Sequence, residues 1–155
     1  MSFRIVGLSP EPFLHLYGQS REALAALGIK RYVVDAKPGF PDRIEMRDGE
    51  IGETFLLLNH VSMPAATPYR ATHAIFIREG ATQAYDRVGE IPEPMRIRLL
   101  SLRAFDKDHM MVDADVVDGM SVEPVINRLL SNEAVSYIHV HNAIPGCYHG
   151  RIERA

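Results

Sequence analysis

Apolar residues fall at alternate positions in several short runs of this chain, the spacing of half-buried strands. Phe3, Ile5 and Leu8 predict a first strand. Ser9, Pro10, Glu11 and Pro12 then read as a helix start, with a hydroxyl cap, a proline in the first turn and an acid at the positive dipole end. Ser20 predicts the cap of a second short helix that carries Leu24 and Leu27 and stops at Gly28. Tyr32, Val33 and Val34 predict a strand, and residues 37–41 a loop. Arg43–Arg47 and Glu53–Asn59 predict a hairpin with Asp48 and Gly49 at its turn. Phe55–Leu58 has no polar alternation, which predicts a central strand buried on both faces. Val61–Tyr69 carries two prolines and predicts a loop, and His73–Arg78 predicts another strand.

The next hairpin is argued by register. Leu100–Phe105 meets Met111–Val116 across a loop centred on Lys107, Asp108 and His109. An odd loop puts Leu100, Leu102 and Ala104 on the face of Val112, Ala114 and Val116, and sets Arg103 opposite Asp113. A slip of one residue would move Asp113 and Asp115 onto the leucine face, at the cost of desolvating them. Ser121 then predicts the cap of a helix with Val122, Val125, Ile126, Leu129 and Leu130 on one face. Val135–His141 predicts the last strand, so that strand, helix and strand form a βαβ unit with parallel strands. The whole pattern predicts an α+β domain over residues 1–155: a mixed, largely antiparallel sheet, two short N-terminal helices and one crossover helix near the C-terminus.

Composition narrows the classes. Apolar residues are 46% of the chain and charged residues 24%, ordinary for a globular protein. A formal charge of −3 tells against a general nucleic-acid binder. Runs such as Phe55–Leu58 are far too short for a membrane span, so no membrane association is expected. One cysteine excludes a disulfide within the chain, and with no recognisable leader the expected location is cytoplasmic.

Candidate chemistry gathers in residues 137–151. His139 and His141 share one face of the last predicted strand with Tyr137, while Ile138 and Val140 take the other. Paired imidazoles suit proton transfer near neutrality, and they could hold a transition metal with His149 or Cys147 as a third ligand. That metal reading is the lesser one, because no tight ligand spacing is present; no cofactor is expected. Cys147 follows Pro145 and Gly146, where a loop thiol near imidazoles could act as a nucleophile; a lone cysteine is more often an inert apolar filler. Arg70, Arg103 and His73 could hold an anion. Asp113 offers Arg103 a structural partner, whereas Arg70 has none nearby in sequence.

Several blocks occur together and in order: Asp35-Ala-Lys-Pro-Gly-Phe-Pro41, Gly52-Glu-Thr-Phe-Leu-Leu-Leu-Asn59, Pro64-Ala-Ala-Thr-Pro-Tyr-Arg70, Leu100-Ser-Leu-Arg-Ala-Phe-Asp106 and His139-Val-His-Asn-Ala-Ile-Pro-Gly-Cys-Tyr148. With them the chain resembles a bacterial domain-of-unknown-function family, number 1203, over nearly its whole length. The resemblance implies a stand-alone bacterial protein and supplies no activity, cofactor or catalytic residue. Members carry a cysteine ahead of the arginine in the Pro41-Asp42-Arg43 stretch, where this chain has Asp42, which tells against a two-cysteine scheme.

The expected function is a pocket for a small, anionic molecule at the exit of the last strand, with capacity for catalysis. His139, His141 and Cys147 are its candidate reacting groups; Arg70, His73, Arg103, Asn142 and Tyr148 are its candidate ligand contacts. The alternative is a non-catalytic interaction protein or homo-oligomer in which the histidines are structural.

Overall fold

The computed structural model describes residues 2–155. Along the chain run β1 (Phe3–Val6), a 3-10 turn (Glu11–Leu16), α1 (Arg21–Ala26), β2 (Lys30–Val33), β3 (Thr54–Met63) and β4 (Ala71–Arg78). Then follow β5 (Asp86–Val88), α2 (Glu93–Arg96), β6 (Leu99–Phe105), β7 (Met111–Asp118), a 3-10 turn (Gly119–Ser121), α3 (Val122–Ser131), β8 (Tyr137–Asn142) and β9 (Tyr148–Arg154). The class is α+β. The strands make two sheets, of order β5-β1-β9-β8-β6-β7 and β2-β3-β4. Every pairing within them is antiparallel. No helix among the described residues is long and apolar enough to cross a membrane.

Local signals explain the short helices. The Ser20 hydroxyl accepts the Ala23 N–H at 3.1 Å and starts α1. Gly28, at φ 73°, ends it in the left-handed region that a side chain disfavours. The first predicted helix is a 3-10 turn that begins after Pro10, with the Ser9 hydroxyl accepting from the Glu11 N–H at 3.3 Å. At the other end of the chain, Asp118 accepts from Met120 N–H at 2.9 Å and caps the turn leading into α3; Ser121 makes no cap bond.

Three expectations are corrected. First, Arg43–Arg47 is not a strand. The Asp42 carboxylate accepts N–H groups from Ile44, Glu45 and Arg78 at 3.3, 2.6 and 2.8 Å, which winds the segment into a turn. β3 pairs instead with β2 and β4, and it continues through Met63 into the stretch expected to be a loop. Second, β8 is not the last strand: the chain returns as β9, which lies between β8 and β1. Third, the β6–β7 register holds only next to the turn, where Phe105 faces Met111. A bulge then shifts it by one, so that Ala104 faces Asp113 and Arg103 faces Ala114. The slip puts both aspartates on the helix side, where Arg128 of α3 binds Asp113 at 3.0 Å and Asp115 at 2.8 Å. At a half-exposed sheet edge a guanidinium removes most of the desolvation cost that argued against this register.

The crossover is as expected in one respect. β7 and β8 flank β6 and are both antiparallel to it, so they run parallel to each other with α3 between them in sequence. Ile126 and Leu129 of α3 are fully buried against Leu100, Leu102, Ile138 and Val140. On the smaller sheet, Leu56, Leu58, Ile75 and Ile77 pack with Phe13, Leu16, Leu24 and Ile44. Tyr148 of β9 joins this second cluster. The remaining face of the larger sheet, carrying His139 and His141, therefore turns toward the smaller sheet.

Candidate functional site

Strand alternation sends Tyr137, His139 and His141 to the same face of β8. Arg103 of β6 is the direct neighbour of His139, and Ser101 of His141. From the smaller sheet, His73 brings its ring to 4.8 Å from that of His141. Ser62, His73, Arg103, His139 and His141, closed in by Phe105 and Met111, line a chamber of roughly 50 Å³. His139 and His141 leave the sheet on one side and line one chamber, whereas His149 does not join them.

These rings are neutral at pH 7. Burial pushes His139 down to about 3 and His141 to about 4. His73 is lowered too, first by burial and then by Arg103. The His141 Nδ1 lies 2.9 Å from the Gly146 carbonyl, which can only accept, so the proton sits on Nδ1 and Nε2 keeps its lone pair. His73 Nδ1 meets the Ser62 hydroxyl at 2.7 Å. No group of three or more histidine, cysteine, aspartate or glutamate side chains among the described residues is arranged to hold a metal ion.

Beside the chamber lies a larger open cleft of roughly 480 Å³, with His73 lining both. Arg43, Arg98, Asn142 and Cys147 supply its polar wall, and Leu57, Phe76, Pro41 and Pro145 its apolar wall. Gly146, at φ 79°, makes the tight turn that delivers Cys147 here. The cysteine is half-buried. Its sulfur accepts an N–H from Arg43 Nη2 at 3.1 Å and another from Asn142 Nδ2 at 3.6 Å. Asn142 is itself oriented by His149, whose Nδ1 lies 2.8 Å from the amide oxygen. His149 is fully buried, its pKa is pushed well down by burial, and its Nε2 has no hydrogen-bond partner among the described residues.

Arg43 is the unusual group. It is 2% exposed, and it donates to the Tyr148 carbonyl at 2.9 Å and the Pro41 carbonyl at 2.6 Å. Burial pushes its pKa down; the nearby Cys147 sulfur is the largest opposing influence. Its sequence neighbour Asp42 spends its carboxylate on backbone N–H groups. Arg98, by contrast, is held by Asp48 at 2.8 Å.

The residues expected to share one pocket are thus divided. Asn142, Cys147 and His73 line the cleft, whereas His139, His141 and Arg103 meet His73 in the chamber. Tyr148 is buried against both histidines of β8, with ring centroids 5.1 Å from His139 and 5.9 Å from His141. Arg70 is exposed and bonds the Pro64 carbonyl within its own loop, so it reaches neither space. Arg103 makes no pair with Asp113, because the bulge turns that aspartate to the opposite face. Arg43, Arg98 and Ser62 were not anticipated. The first was hidden by a false strand, and nothing in the local sequence marks the other two.

Residues 39–154, which include every cleft and chamber side chain named above, match a family model described as Protein of unknown function (DUF1203). No curated protein and no solved structure matches the chain.

Proposed function

We propose that this chain, which belongs to the DUF1203 family, binds a small organic monoanion of the carboxylate class in the open cleft and holds it against the Cys147 sulfur. One observation carries the reading: a buried guanidinium at the cleft wall, Arg43, whose side-chain hydrogen bonds go to a sulfur and two carbonyls and, among the described residues, to no carboxylate. Charge counting sets the valence. Asp48 neutralises Arg98, and His73 is uncharged near neutrality. One positive charge remains, which suits a monoanion better than a phosphate dianion. The mixed lining, apolar on one side and polar on the other, is typical of a small-molecule site. Within it the Asn142 amide and the Arg43 guanidinium both aim N–H groups at the sulfur, so negative charge developing there would be met by preplaced donors.

Cys147 is the single cysteine, so alkylation reports on the cleft directly. The rates of iodoacetate and iodoacetamide are compared on the folded chain and on the same chain in denaturant. A cleft with one uncompensated cation favours the anionic reagent, and the iodoacetate-to-iodoacetamide ratio is expected to rise at least about tenfold on folding. Acetate and benzoate are expected to slow both reactions. Equal ratios in the two states, with no protection by carboxylates, would refute the reading.

A further inference from the structure

We infer that the chamber between the sheets is a second site, separate from the cleft, for a small planar oxyanion of the formate or bicarbonate type. Arg103 carries the argument. Its side chain lines the chamber, donates one N–H to Ser101 Oγ at 3.3 Å and meets no carboxylate among the described residues. Burial alone acts on its pKa, pushing it down, which is the signature of a cation with no acid close by. The aspartate that strand pairing would have offered is on the far face, bound to Arg128. A half-buried guanidinium keeps several free donors in a planar fork, the geometry that matches a carboxylate or bicarbonate edge.

The rest of the lining fits the same ligand. His139 is neutral and can turn a ring N–H to the ion without a second charge, while the Nε2 of neutral His141, which keeps its lone pair, can accept only from a protonated oxygen such as that of bicarbonate. The Ser62 hydroxyl at the edge of the chamber lies 2.7 Å from His73 Nδ1 and donates to the Ala71 carbonyl at 3.3 Å. Phe105 and Met111 add apolar surface to the lining. Size limits the occupant: a water needs about 10–15 Å³ of such volume, so roughly 50 Å³ admits three or four heavy atoms. The chamber shares Ser62, Met63 and His139 with an outer cleft of roughly 300 Å³, the side from which an ion would enter.

Isothermal titration calorimetry with sodium formate, sodium bicarbonate and sodium chloride, all in excess sodium benzoate, which fills the cleft and is too large for a chamber of roughly 50 Å³, tests this on the wild-type chain, Arg103→Gln, Arg103→Lys and Cys147→Ser. Formate or bicarbonate is expected to bind the wild type and Cys147→Ser alike. Arg103→Gln breaks no ion pair and is expected to weaken the planar ions at least about tenfold. Arg103→Lys, which keeps the charge and loses the fork, is expected to weaken them while leaving chloride unchanged. The proposal is overturned if neither planar ion binds, if Arg103→Gln binds them as the wild type does, or if Cys147→Ser abolishes binding. The alkylation ratio at Cys147 is expected to be the same in Arg103→Gln as in the wild type, so the two sites succeed or fail independently.

Discussion

At the scale of single residues, burial of basic groups dominates. His139 and His141 are 5% and 3% exposed, and their charged forms would have to be desolvated. Both have folded pKa values below the ordinary 6.5. As pH falls through 6.5 the unfolded chain takes up protons that the folded chain refuses. Stability from these two groups is therefore complete above pH 6.5 and is lost between 6.5 and their folded values of about 3 and 4. Each contributes up to about 1.4 kcal/mol per pH unit in that window. Urea unfolding at pH 7, 6 and 5 measures it, and His139→Phe is expected to reduce the slope by about one proton's worth, ~1.4 kcal/mol per unit. An unchanged slope would mean that His139 protonates freely in the folded state. The shared face of these histidines was legible from period-two alternation alone, because a strand permits no other arrangement. Arg43 was not legible: no one-dimensional pattern reveals that its hydrogen bonds run to Cys147 and Tyr148, residues far away in the chain.

At the scale of elements, the signals that could be read were the local ones. The Ser20 cap, the Gly28 stop and the apolar stripe of α3 all depend on neighbours within a few positions, and all appear. The β6–β7 register failed because the desolvation argument ignored Arg128, a cation supplied by the next helix. β9 escaped notice because Gly150 and the charged residues around Ile152 break the apolar alternation. Its glycine has a packing reason. A side chain at Gly150 would meet the ends of Met46 and Met95, the nearest atom at 2.7 Å, and methionine ends can move. At Gly119 the obstacle is backbone: an added Cβ would lie 1.8 Å from the Met95 carbonyl oxygen. Gly119→Ala is accordingly expected to cost more than about 2 kcal/mol, and Gly150→Ala less than about 1.5 kcal/mol. Chemical denaturation of the two variants decides, and an equal effect would contradict the contacts described.

At the scale of the molecule, two sheets of unequal size meet, and His73 from the smaller lines one chamber with Arg103, His139 and His141 from the larger. The larger sheet is assembled from distant parts of the chain. β1 is inserted between β9 and β5, with Ile5 facing Ile152 and Arg87, and Gly89 N–H bonds the Phe3 carbonyl at 2.8 Å. This has a practical edge for anyone cloning the protein. A recombinant piece trimmed to start at residue 39 would keep every side chain of the chamber and the cleft and yet lack β1, α1 and β2, and with them Phe13, Leu16 and Leu24 of the second core cluster. It would leave β9 and β5 with raw hydrogen-bonding margins, which invite sticking between molecules. Such a trimmed piece is expected in inclusion bodies where the untrimmed chain stays in the supernatant, and adding residues 1–38 as a synthetic peptide is the rescue to try.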